Sequence, residues 1–181
     1  MLARVGFGGN AEDAVDFRIE RPIVLSSNRH GTNSGNQQEI YLTAPNGTGA
    51  VRLTTNSTVD TDPVLSPDAE KIAFASNRDG DYDIYVMNVD GTGLVQQLTR
   101  NASSDLAPAW SANGQMLAFT SNSGSNGNYD IWRMGYDGSN PTRLTTANGT
   151  DTTSSWSPVA DGTGSRSLRT ETVTKRSGPW T

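Results

Sequence analysis

The sequence predicts an all-β fold made of four-stranded units repeated three times. Short motifs return at intervals of 45 or 46 residues, turn-forming residues crowd the gaps between them, and no segment carries a sustained 3.6-residue apolar stripe. Helix should therefore be nearly absent.

The repeat is legible at four places in each unit. Leu53-Thr54-Thr55 returns as Leu98-Thr99-Arg100 and Leu144-Thr145-Thr146. Pro63-Val64-Leu65-Ser66-Pro67 returns as Pro108-Ala109-Trp110-Ser111 and, with an altered start, as Ser154-Ser155-Trp156-Ser157-Pro158. Ile23 to Arg29 matches Ile72 to Arg78 and Leu117 to Asn122, while Glu39-Ile40-Tyr41 matches Asp83-Ile84-Tyr85 and Asp130-Ile131-Trp132.

Within the third unit the elements follow in order. A first strand lies around Pro108 to Ser111 and turns at Ala112-Asn113-Gly114. The second, Met116 to Ser121, reads as buried because its residues are apolar or small. A Gly- and Asn-rich loop leads to the third strand, Asp130 to Met134. Asp137-Gly138 then turns the chain, as Asn46-Gly47 and Asp90-Gly91 do at matching places, since both residue types tolerate positive φ. The fourth strand ends at Leu144-Thr145. Four strands about every 45 residues is the arithmetic of a β-propeller blade.

The combined pattern of Pro-x-Trp-Ser-Pro, Ile-Ala-Phe-x-Ser-Asn-Arg-Asp-Gly, Asp-Ile-Tyr, Asp-Gly-Thr-Gly and Leu-Thr resembles the repeat of TolB-type propellers. It covers roughly Pro22 to Pro158 and is best preserved from Asp62 to Thr99. The resemblance implies a propeller, usually six-bladed, of the kind found in periplasmic TolB and in accessory domains of serine peptidases. It also implies a periplasmic or secreted setting, although Met1 to Asn10 lack the basic start and apolar stretch of a signal peptide. Residues 1–21 and 159–181 match no part of the repeat and are expected to be a non-repeat arm and tail flanking the three units at 22–158.

The first unit starts at its second strand, whereas Thr153 to Ser157 forms an extra first strand after the third unit. A ring of three blades would be too tightly curved, and an open half ring would leave strand edges unpaired. The expectation is a homodimer in which each last strand completes the partner's first blade, giving a six-bladed ring.

The 181 residues include 33% hydrophobic and 18% charged residues, with a net charge of −5, which disfavours a phosphate-tracking nucleic-acid surface. No apolar run approaches the roughly 20 residues of a membrane-spanning helix, so no membrane insertion is expected. The absence of Cys excludes disulfides, thiolate metal sites and Cys nucleophiles. His30 is the only histidine, no Gly-x-Ser-x-Gly elbow is present, and there is neither a Walker loop nor a dinucleotide fingerprint. A solvated loop histidine and a non-enzyme are the expectation.

Asp60, Asp105 and Asp151 each lie six residues after the Thr of Leu-Thr, in a stretch expected to lead into the innermost strand and ring the channel mouth. There they are candidate ligands for a cation, and oxygen-only ligands suit Ca2+ or Mg2+. The competing role is to cap a turn by accepting backbone N–H groups. Asp79, Asp81 and Asp83 alternate as in a calcium loop, but Ile84 and Asp90 stand where an EF-hand needs Gly and Glu. Asp83 also belongs to the repeated Asp-Ile-Tyr position, which points to a structural bond. Trp110, Trp156, Trp132, Tyr85 and Tyr41 recur at blade positions and are expected to pack between blades.

Three functions fit these features: a non-enzymatic ring that binds a protein partner or a cation such as Ca2+ at its mouth, a substrate-gating propeller from a prolyl-oligopeptidase-like hydrolase, or a purely structural oligomerisation module.

Overall fold

The computed structural model describes residues 21–30, 37–124, 127–146, 148–152 and 154–156. The expected arm and tail lie outside these apart from Arg21, as do Thr153 and Ser157 of the last strand. Every regular element among the described residues is a strand. Sheet one comprises β1 (Ile23–Ser27), β2 (Glu39–Thr43) and β3 (Val51–Arg52). Sheet two comprises β4 (Asp60–Leu65), β5 (Lys71–Ser76), β6 (Asp83–Asn88) and β7 (Gln96–Gln97). Sheet three comprises β8 (Asp105–Trp110), β9 (Met116–Ser121), β10 (Asp130–Gly135) and β11 (Thr142–Arg143). All neighbours pair antiparallel in sequence order, so each sheet is a simple meander. Among the described residues β1 has no partner on its outer side, in keeping with a first unit that starts at its second strand.

Alternation along the strands builds two cores. In β5, Ile72 and Phe74 point toward sheet one and join Ile40, Leu42, Tyr85 and Met87. Ala73 and Ala75, on the opposite face, join Leu117, Phe119, Met134 and Trp110 toward sheet three. Sheet two is thus buried on both faces, which is why its strands read as continuous apolar runs. Trp110 and Tyr85 pack between sheets, as expected, and the Trp110 indole also donates to the Val64 carbonyl at 3.2 Å. Trp156 repeats that contact one unit later, donating to the Ala109 carbonyl at 2.9 Å, although it forms only an isolated bridge.

Two boundaries differ from expectation. The first strand of each complete unit begins three residues earlier than the Pro that marks it, at Asp60 and Asp105. A bulge makes this possible: pairing slips between Thr61 and Val64 and between Leu106 and Ala109, with Asp62 and Ala107 at φ 51° and 50°. The Pro sits inside the irregularity, where its missing N–H costs no ladder bond. The fourth strands are only two residues long and stop before Leu-Thr, because the threonine is occupied elsewhere.

Candidate functional site

The Thr of Leu-Thr reaches back to the start of the third strand. Thr54, Thr99 and Thr145 accept the backbone N–H of Ile40, Ile84 and Ile131 at 2.9, 2.9 and 3.0 Å. Each hydroxyl lies against the acid that opens that strand, donating to Glu39 at 2.6 Å, Asp83 at 2.8 Å and Asp130 at 3.3 Å. In the outer sheets a guanidinium completes the set: Arg52 donates to Glu39 and Arg143 to Asp130, each at 2.6 Å. In sheet two the corresponding residue is Gln97, whose amide reaches Asp83 at 3.1 Å and brings no charge.

A second acid–base contact spans the first two strands of sheet two. Arg78 Nη2 lies 3.0 Å from Oδ1 and 3.2 Å from Oδ2 of Asp60, a fully buried carboxylate that also accepts from Asn56 at 2.7 Å. The guanidinium is held by Ser76 at 2.9 Å and lies over the Tyr85 ring, 4.6 Å from its centroid. Arg29 takes the same pose in sheet one, bonded to Ser27 at 3.0 Å and 4.9 Å over Tyr41, but among the described residues no carboxylate faces it. Sheet three shows the converse. Asp105 is fully buried, yet the residue in the position of Arg78 is Ser123, and among the described residues no guanidinium pairs with Asp105.

The three acids expected at a channel mouth therefore have different surroundings. Asp60 and Asp105 are the first residues of β4 and β8 and fully buried, which corrects their placement in a preceding loop. Their backbone N–H groups, and that of half-buried Asp151, donate to Gln38, Tyr82 and Tyr129 at 2.8, 2.6 and 2.7 Å, stitching each unit to the one before. Asp60 is neutralised by Arg78, Asp105 accepts from Asn101 at 3.0 Å with Ser121 and Thr99 also against it, and Asp151 shows no side-chain bond among the described residues. Burial pushes the Asp105 carboxyl above its ordinary range, opposed by the nearby Ser121, Thr99 and Asn101 groups and reinforced by the charge of Asp81.

Asp79, Asp81 and Asp83 do converge, with one carboxylate oxygen of each lying within 4.8 Å of the others. Asp79 accepts from Gln97, Asp83 is fully buried, and Asp81 Oδ2 is shielded without a partner. Burial, with the charges of Asp79 and Asp81 added, pushes Asp83 up to about 6 against the bonds from Thr99 and Gln97. The Tyr85 hydroxyl is likewise raised, by burial and by its bond to Asp79. His30 is exposed on its loop, and its Nδ1 lies 2.7 Å from the Tyr41 hydroxyl, with no serine or carboxylate bonded to it among the described residues.

Residues 78–165 match the TolB beta propeller domain. These are TolB-type propeller repeats. Over 141 residues, 78% of this chain and 30% of the relative, the sequence is 37% identical to a TolB homolog of Chlorobium luteolum. A shorter stretch of 51 residues, 28% of this chain and 11% of the relative, is 51% identical to the Tol-Pal system protein TolB of Desulfosudis oleivorans. Among solved structures, a TolB-like protein of Agrobacterium tumefaciens superposes with a TM-score of 0.63 at 26% identity, covering 72% of this chain and 44% of that one. The chain spans about a third or less of the length of these curated relatives.

Spacing alone exposed the repeat, but it did not single out Gln97 and Ser123 as site residues. The signal for them was present: aligned on Leu-Thr, the three units read Arg52, Gln97 and Arg143, and aligned on Ser-Asn they read Arg29, Arg78 and Ser123.

Proposed function

We propose that this chain is a non-catalytic TolB-type propeller module that pairs with a second copy by exchanging its last strand. The ring so formed offers its mouth to a protein partner or a cation, in a periplasmic or secreted setting like that of TolB. The observation that carries the reading is Arg29. It is held in the pose of Arg78 beside a β1 edge that has no partner strand among the described residues, and among these no acid of the kind a first strand would bring faces it. Asp151 stands in the register of Asp60 and already makes the inter-unit backbone bond of that position. Two copies of three sheets each would make six blades. The non-catalytic assignment rests on a chain without Cys whose one His is bonded to a tyrosine. Of the three acids at the proposed mouth, Asp105 is the best placed to meet a cation, since Asp60 already holds a guanidinium.

Mass measurement in solution tests the assembly. The expected result is a species of twice 19.3 kDa that dissociates on dilution, with no peptidase or esterase turnover above background. A well-folded monomer at high concentration, or robust hydrolysis lost in His30→Ala, rejects the reading.

A further inference from the structure

We propose that the outer edge of β1 selects its strand by two side-chain anchors: an acid received by Arg29 and, five residues further along, a large apolar side chain received by Ile23. The occupant is the segment from Asp151 to Trp156 of a second copy. The occupant rests on the strand exchange proposed above, but the rule of selection does not, and a free peptide of that segment obeys it.

Two edges of the same kind are filled within the chain and show the rule. β4 lies along β5 with Asp60 opposite Ser76 and Leu65 opposite Ile72. β8 lies along β9 with Asp105 opposite Ser121 and Trp110 opposite Leu117. In both pairs a bulge takes up one extra residue, so acid and apolar anchor stand five positions apart on the arriving strand and four apart on the receiving one. The apolar anchor closes a core each time: Leu65 packs on the cluster of Ile40, Leu42 and Ile72, and Trp110 joins that of Leu117 and Phe119.

β1 offers both sockets. Aligned on Ser-Asn-Arg, it places Ser27 and Ile23 where β5 has Ser76 and Ile72. Ile23 is 47% exposed, whereas Ile72 is fully buried. At the other end Arg29 is exposed, yet it is fixed as Arg78 is. Ser27 Oγ accepts from its Nε at 3.0 Å and from its backbone N–H at 3.3 Å, and its guanidinium lies over the Tyr41 ring. A guanidinium fixed before its acid arrives loses little further freedom on binding it. In strand addition the backbone ladder supplies affinity and the side-chain sockets supply choice.

The segment from Asp151 to Trp156 repeats the arriving pattern a third time, with acid and tryptophan again five apart. Its acid also lacks the local donor of its counterparts. Asn56 and Asn101, four residues before Asp60 and Asp105, donate to those carboxylates, and the residue four before Asp151 is Ala147. The segment is held by its own chain in the place of a further first strand: the Asp151 N–H bonds Tyr129, and the Trp156 indole bonds Ala109 as that of Trp110 bonds Val64. An acid without its usual amide thus matches an arginine that no acid faces among the described residues.

The test uses the full chain carrying Asp151→Asn and Trp156→Ala, which removes both anchors of its own strand and leaves the edge free. The probe is a fluorescently labelled peptide of residues 148–158, read by anisotropy. Expected is saturable binding of one peptide per chain, weakened at least tenfold by Asp151→Asn in the peptide and at least tenfold by Trp156→Ala in the peptide. Adding Arg29→Gln to the chain should erase the preference for the acid and keep that for the tryptophan, and Ile23→Ser should do the reverse. No saturable binding at millimolar peptide, or an anchor change in the peptide that leaves binding unaltered, overturns the proposal. Mass measurement separates the rule from the exchange. A monomeric wild type, with both peptide anchors still required, refutes the exchange and leaves the rule standing. A chain with Asp151→Asn and Trp156→Ala that dimerises as tightly as wild type refutes the rule and leaves the exchange standing.

Discussion

Sheet two contains a complete Asp–Arg contact, and each neighbouring sheet contains half of one. Asp60 and Arg78 satisfy each other across β4 and β5. Sheet one has the arginine without the acid, because the strand that would carry the acid is not among its described residues. Sheet three has the acid without the arginine, because a single residue, Ser123, differs. The two vacancies call for different remedies. A missing strand can be supplied by another strand, which brings backbone hydrogen bonds as well as a charge; a missing side chain can be supplied by a single substitution. The strand exchange proposed above would fill the first of these vacancies.

The largest expected effect comes from breaking the complete contact. Arg78→Ala leaves Asp60 buried and unpaired and should cost about 3 kcal/mol in urea denaturation, the low end of the range for buried pairs because the arginine is partly exposed. Arg29→Ala, in the same assay at concentrations where the chain is monomeric, should cost well under that, since among the described residues no acid faces its guanidinium. Thr99→Val strands the Ile84 N–H and removes the donor to Asp83, for a loss of about 2 kcal/mol. Ser123→Arg should supply the absent half in sheet three and raise the free energy of unfolding in urea by about 1 kcal/mol after side-chain ordering is counted. Asp90→Ala, in an exposed turn where Thr92 bonds the carboxylate, should cost at most about 0.5 kcal/mol. The Thr92 hydroxyl holds Asp90 below the ordinary carboxylate range, so this small contribution is present near neutral pH and is lost in acid as the carboxylate protonates.

The fold was legible because it is periodic. Ile72-Ala73-Phe74-Ala75 could be placed on two faces of one strand without any knowledge of its neighbours, and Asp-Gly turns fixed the hairpins. The bulges were not legible, since the left-handed conformation of Asp62 and Ala107 is imposed by the slip in register rather than by residue type. That slip drew Asp60 and Asp105 out of an expected loop and into buried strand ends. Nor could spacing decide between Asp60 and Asp105, which share a register. Their difference lies eighteen residues on, at Arg78 and Ser123, across a strand pairing. The acid cluster was visible as Asp79-Gly-Asp81-Tyr-Asp83, but its convergence and the Gln97 amide that bonds both Asp79 and Asp83 appear only in the folded chain.

A charge exchange at the open edge of sheet one tests the central claim most directly. Arg29→Asp and Asp151→Arg, made singly and together, are compared with wild type by mass measurement across a dilution series. Strand exchange predicts a wild-type dimer, dissociation at least tenfold easier in each single variant, and recovery in the double variant, where the opposite charges meet again with their places reversed. A wild-type monomer, a dimer indifferent to both single changes, or a double variant no tighter than the singles would contradict it.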